Sequence, residues 1–93
     1  MKIKIKDISW GINRITGAKQ EQEVENIEFE AIIGKTVEIG PLKKVFSLKE
    51  INDNYIVVIL NKNGAIVEIE KGNSYTYRPR SFDGGHYYII EVE

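Results

Sequence analysis

The chain has 93 residues, a formal net charge of -1 and no cysteine, a size suited to one core and a composition that excludes disulfides, thiolate nucleophiles and cysteine-ligated zinc. Its pI of about 5.9 lacks the basic excess that drives non-specific nucleic-acid binding. Sixteen Ile and seven Val stand against three Leu and three Ala, and β-branched side chains pack well on a pleated sheet while losing rotamer freedom in a helix, so a single all-β domain over residues 1–93 is expected.

The opening "MKIKIKD" alternates Lys2, Lys4 and Lys6 with Ile3 and Ile5, the period of a half-buried strand. After Asp7 the apolar positions change parity to Ile8, Trp10 and Ile12, which predicts a bulge or bend near Asp7. Trp10 is assigned to the core. No continuous apolar stretch follows Met1 and no run approaches the roughly 18 apolar residues of a membrane span, so no membrane association is expected, and a cytoplasmic location if the chain is complete.

Residues 14–26 form a polar stretch containing Gly17, expected as a loop and as the only good place for a helical turn. Residues 27–33 then alternate Ile27, Phe29, Ala31 and Ile33 with Glu28 and Glu30, a strand whose carboxylates suit a neighbour bearing Lys4 and Lys6. "GKTVEIGP" predicts a short strand between Gly34 and Gly40-Pro41. In "LKKVFSLKEIND", Ser47 and Glu50 match a helix-capping box, but the alternation of Phe46 and Leu48 with their neighbours and the turn residues "NDN" favour a strand.

"YIVVILNKNGAIVEIEKG" carries the clearest hairpin signature, because Asn63-Gly64 supplies the positive-φ residues of a type I′ turn. That turn pairs Lys62 with Ala65, sets Leu60 opposite Val67 and Val58 opposite Ile69 on the core face, and places Val57 and Ile59 beside Glu68 and Glu70 on a mixed face suited to self-association. "NSYTYRP" and "HYYIIEVE" predict a last hairpin with Tyr77 opposite Tyr88 and Arg78 opposite Tyr87, and with Tyr75, Tyr77, Tyr88, Ile90 and Val92 inward. Seven or eight short strands with polar turns predict a small antiparallel β-sandwich, immunoglobulin-like or jelly-roll-like in style, with a small β-barrel as the alternative.

The connecting segment, "YRPRSFDGGHYY", concentrates the chemistry-bearing side chains. Pro79 keeps Arg78 extended, and Arg78, Arg80, Phe82, His86 and Tyr87 are the candidate binding residues, since Arg and aromatic groups dominate interface hot spots. The opposing reading folds Phe82 back over the core and stacks Arg78 on Tyr87 for local order. Ser81, Asp83 and His86 are the residue types of a hydrolytic triad, but three positions on one short loop rarely reach triad geometry, and no catalytic residue is assigned. One His and three Asp do not supply a usual metal set, and no phosphate-cradling glycine pattern is present, so neither a metal nor a cofactor is expected.

These features together predict a non-catalytic binding or assembly module with a protein partner, including a further copy of itself. A carbohydrate-binding module using outward aromatics such as Trp10 and Tyr87 is one alternative. Single-stranded nucleic-acid binding on an OB-like barrel, through Tyr75, Tyr77, Arg78, Arg80 and Tyr87, is another, against which the net charge counts. A hydrolytic enzyme using His86 and Asp83 is the weakest reading.

Overall fold

The computed structural model of the chain describes residues 1–60 and 64–93. Eight strands are present, β1 (Lys2–Ile12), β2 (Lys19–Glu30), β3 (Thr36–Ile39), β4 (Lys44–Ile51), β5 (Tyr55–Ile59), β6 (Ile66–Glu70), β7 (Ser74–Tyr77) and β8 (Gly84–Val92), with no helix among the described residues. They form two four-stranded antiparallel sheets, β2-β1-β8-β7 and β3-β4-β5-β6. Both sheets keep open edges, so the sandwich holds and the barrel alternative does not. No helix of the described residues is long and apolar enough to cross a membrane.

The period-2 patterns place the core between the sheets. Ile3 and Ile5 of β1 join Tyr88, Ile90 and Val92 of β8 from one side, and Ile39, Phe46, Leu48, Ile56, Val58, Leu60 and Ile69 meet them from the other. Phe46 packs edge-on against Tyr88 at 5.5 Å and Tyr77 at 6.3 Å between ring centroids, geometries that align positive ring edges with negative faces. The stretch containing Ser47 and Glu50 is strand, as the burial of Phe46 and Leu48 requires. The terminal hairpin pairs Tyr77 with Tyr88 and Thr76 with Ile89. Its expected inward residues share one face, Tyr75 opposite Ile90, although Tyr75 on the edge strand β7 stays exposed.

Lys4 faces Glu28 across the β1–β2 ladder, as the charge pattern suggested. The ion pairs themselves run diagonally, Lys2 to Glu28 at 3.4 Å and Lys6 to Glu91 at 3.3 Å. Such exposed pairs contribute at most about 1 kcal/mol each and fix register more than stability.

Three expectations about strand limits and pairing need correction. Residues 19–26 are neither loop nor helix but the first part of β2, which pairs with β1 over its whole length. Its side chains there are all exposed, so the segment is held by backbone ladder bonds that leave no apolar trace in the sequence. At its far end Ile33 is exposed rather than core, because the strand stops at Glu30. Finally, β5 and β6 pair Val58 with Val67 and Ile56 with Ile69, and the Leu60 N–H donates to the Ala65 carbonyl. Four residues therefore separate the closing pair instead of two, a slip of two positions that keeps every side chain on its expected face. The type I′ turn itself, with the Lys62 pairing, lies outside the described residues.

The bulge expected near Asp7 is present as a register shift between Asp7 and Ile8 in the β1–β2 ladder, but β1 itself does not bend. β1 stays in continuous register with β8 from Ile3 to Gly11. Against β2, Asp7 pairs with Glu25 and Ile8 with Glu23, which leaves Val24 as the extra residue of a bulge. Ile8, Trp10 and Ile12 accordingly lie on the outer face of the sheet, and Trp10 is half-buried there instead of in the core.

Candidate functional site

The chain's chemistry-bearing groups collect at one end of the sheet containing β1, β2 and β8. There the β1–β2 turn and the β7–β8 loop lie side by side. Asn13 closes the turn, its side-chain oxygen accepting from the N–H groups of Ile15 and Thr16 at 2.9 and 3.2 Å, with Gly17 at φ 72° completing it. The loop is tied internally by the Ser81 hydroxyl donating to the Gly84 carbonyl. The two are joined by the Ile12 N–H donating to the Asp83 carbonyl at 2.9 Å and by an Arg14–Asp83 ion pair.

That bracing lifts two large apolar side chains into solvent. Phe82, next to Asp83, is 90 % exposed, and Ile15, next to Arg14, is 95 % exposed. Phe82 does not fold back over the core. All three arginines of the chain, Arg14, Arg78 and Arg80, belong to these two connections or their margins, and all three are exposed.

The remaining candidate residues divide between two faces. Tyr87 is on the outer face but buried at 7 % exposure, with the Arg78 guanidinium 4.1 Å from its ring centroid and its hydroxyl donating to Glu21 at 2.9 Å. Burial first and the Glu21 carboxylate second push the Tyr87 hydroxyl above its ordinary range. Glu21 is lowered by its hydrogen bonds to Lys19 and Tyr87. The stacking of Arg78 on Tyr87 is therefore present as local order, and it removes Tyr87 as a stacking platform for a ligand.

His86 points to the inner face, away from Tyr87. Its Nδ1 lies 2.6 Å from Oδ1 of Asp7, not near Asp83. Asp7 is 0 % exposed, and its second oxygen, Oδ2, has no hydrogen-bond partner among the described residues. A Cβ built on Gly40, in the β3–β4 turn, would stand 1.8 Å from that oxygen. Asp7 thus links β1 to β8 through His86 and lies directly beneath the β3–β4 turn, whose Gly40 N–H donates to Glu25, and sequence alone missed it. The available signal was a carboxylate at the inward parity of Ile3 and Ile5, where only a partnered charge is tolerated.

Tyr88, packed beside this pair, is pushed up to about 12 by burial, with the Asp7 charge and then Tyr77 adding to the effect. A folded pKa above the unfolded value of about 10 means the native state holds its proton while the unfolded chain releases it. The stabilising contribution is complete below about pH 10 and disappears as pH rises through about 12. Denaturant midpoints measured across that window are expected to fall, and Tyr88→Phe to flatten the fall.

The surface proposed for self-association is altered as well. Val57 is buried within the chain itself, and Ile59 sits opposite Ile66 rather than Glu68. No group of three or more metal-ligating side chains occurs among the described residues. The fold and this end of it define a two-sheet antiparallel β-sandwich with a braced pair of loops carrying exposed apolar tips. Comparison of the chain with protein families, curated proteins and solved structures gave no match.

Proposed function

We propose that this chain is a non-catalytic binding module that docks a protein partner through its braced loop pair. The observation that carries the reading is Phe82, a large aromatic 90 % exposed on a loop whose neighbours are fixed by hydrogen bonds and an ion pair. A rigid scaffold presenting a solvated aromatic loses little conformational freedom on docking, and arginine and aromatic side chains are the residues that carry interface energy. Ile15 extends the apolar contact, while Arg14, Arg78 and Arg80 furnish its polar rim. The Asp7–His86 pair, buried behind the loops, serves in this reading to hold the scaffold in shape.

The test is photo-crosslinking in the native cell from a reactive amino acid at position 82, with position 68 on the opposite sheet as control. A discrete protein adduct from 82 alone is expected. Equal labelling from both positions, or none from 82, would rule the reading out. Phe82→Ala is expected to leave stability within about 0.5 kcal/mol, since no core contact is lost, while weakening the captured complex by about 2 kcal/mol or more, some thirtyfold.

A further inference from the structure

An edge strand leaves a row of backbone donors and acceptors unpaired, and proteins guard such rows with charged side chains, bulges or proline. Among the described residues the open edges are β2 and β7 of one sheet and β3 and β6 of the other. β2 is guarded by five glutamates and the Val24 bulge, β3 by Glu38, and β6 by Glu68 and Glu70. β7, with Ser74, Tyr75, Thr76 and Tyr77, carries no charge and pairs with β8 without a bulge.

Which groups of β7 stay unpaired follows from its neighbour. The Val92 N–H donates to the Asn73 carbonyl at 3.0 Å, whereas the Glu93 N–H donates to the Lys2 carbonyl at 2.9 Å. Successive residues of a strand turn their backbone groups to opposite sides, so even-numbered β8 residues bond to β7 and odd-numbered ones to β1. Tyr75 and Tyr77, opposite Ile90 and Tyr88, therefore direct their backbone groups to β8. The N–H and C=O groups of Ser74 and Thr76 face the open edge, and among the described residues nothing pairs with them. Tyr75, on the inner face, is 36 % exposed beside that edge.

We infer that β7 pairs antiparallel with β7 of a second copy, joining two sandwiches about a two-fold axis through a surface separate from the loop tips. Residues opposite each other in such a pair share a face, so the register sets like parity against like. Centring the pair on Thr76 uses every open-edge group from Ser74 to Arg78, which Pro79 keeps extended. Thr76 of one copy exchanges bonds with Thr76 of the other, and Ser74 with Arg78. Tyr75 then meets Tyr77 of the other copy at a position without hydrogen bonds, where cross-strand side chains come closest. No like charges face each other in this register, whereas the same operation on β2 or β6 crowds the glutamates of both copies. The strand is short, so the pair is weak, with a Kd on the order of 100 μM.

Sedimentation velocity of the full chain from about 5 μM to about 1 mM is expected to show its mass rising from one copy to two. Over the same range, exchange of the Ser74 and Thr76 amide hydrogens is expected to slow, with Tyr75 and Tyr77 unchanged. Thr76→Lys and Thr76→Glu each set like charges face to face on the axis and are expected to weaken the pair about tenfold or more. Both should keep the Tm, because Thr76 is exposed. An equimolar mixture of the two variants is expected to associate again, since Lys then opposes Glu. A single-copy mass at every concentration would overturn the inference. So would a dimer that survives Thr76→Lys, or variants that fail to associate on mixing. A dimer lost in Phe82→Ala but kept in Thr76→Lys would overturn it as well, and would place self-association at the loop tips.

Discussion

Gly40→Ala is expected to be the most damaging single-methyl change in this protein, lowering its Tm by about 20 °C or more. Two costs combine. Gly40 has φ of 77°, a conformation that carries a penalty of about 1–2 kcal/mol once a Cβ is present. The larger cost is steric, because that Cβ would stand 1.8 Å from Asp7 Oδ2, so either the β3–β4 turn lifts away or the carboxylate leaves His86. Breaking a buried pair costs about 3–5 kcal/mol, against a total stability of roughly 5–15 kcal/mol for a domain of this kind. Thermal and denaturant unfolding of the purified variant measure the loss directly. A change of under about 1 kcal/mol would mean that the turn moves freely and that Gly40 does not close the sandwich.

His86→Ala tests the same junction from the opposite sheet position. It strands the Asp7 carboxylate, fully buried, with neither oxygen bonded, and is expected to cost about 3–5 kcal/mol. Asp7→Asn/His86→Ala should then be more stable than His86→Ala by about 1–3 kcal/mol, since a buried neutral amide without a partner is less costly than a buried charge. The comparison is a double-mutant cycle, read from denaturant midpoints. Additive effects would show that the two side chains contribute independently and that the 2.6 Å contact is not what holds this end together.

The core strands were legible because one face of each is buried, which imposes the alternation seen at Ile3 and Ile5, at Phe46 and Leu48, and at Tyr88, Ile90 and Val92. The Tyr77–Tyr88 pairing and the Arg78–Tyr87 stack could be read from the same alternation. The first half of β2 could not, since a solvated edge strand held by backbone bonds has no apolar period to detect. The candidate site was half legible for a related reason. Phe82 and Arg80 are local features of one loop, and both are exposed, as the outward of the two sequence readings requires. The Arg14 brace, the Ile15 tip and the Asp7 partner of His86 come from contacts spanning 69 and 79 residues for the two side-chain pairs. His86 and Tyr87, adjacent in sequence, face opposite sides of the strand and cannot belong to one patch.

The pairing of β1 with β8 also orders the molecule in time. The sheet that carries the loop tips has β8 as an interior strand, so its two hairpins, β1–β2 and β7–β8, cannot join until residues near 92 have been synthesised. The other sheet is a meander of four successive strands, closed by local turns whose chain-entropy cost is small. During synthesis, then, the half of the sandwich without the proposed docking loops is the half able to form first, and its exposed core face waits for the other sheet to cover it.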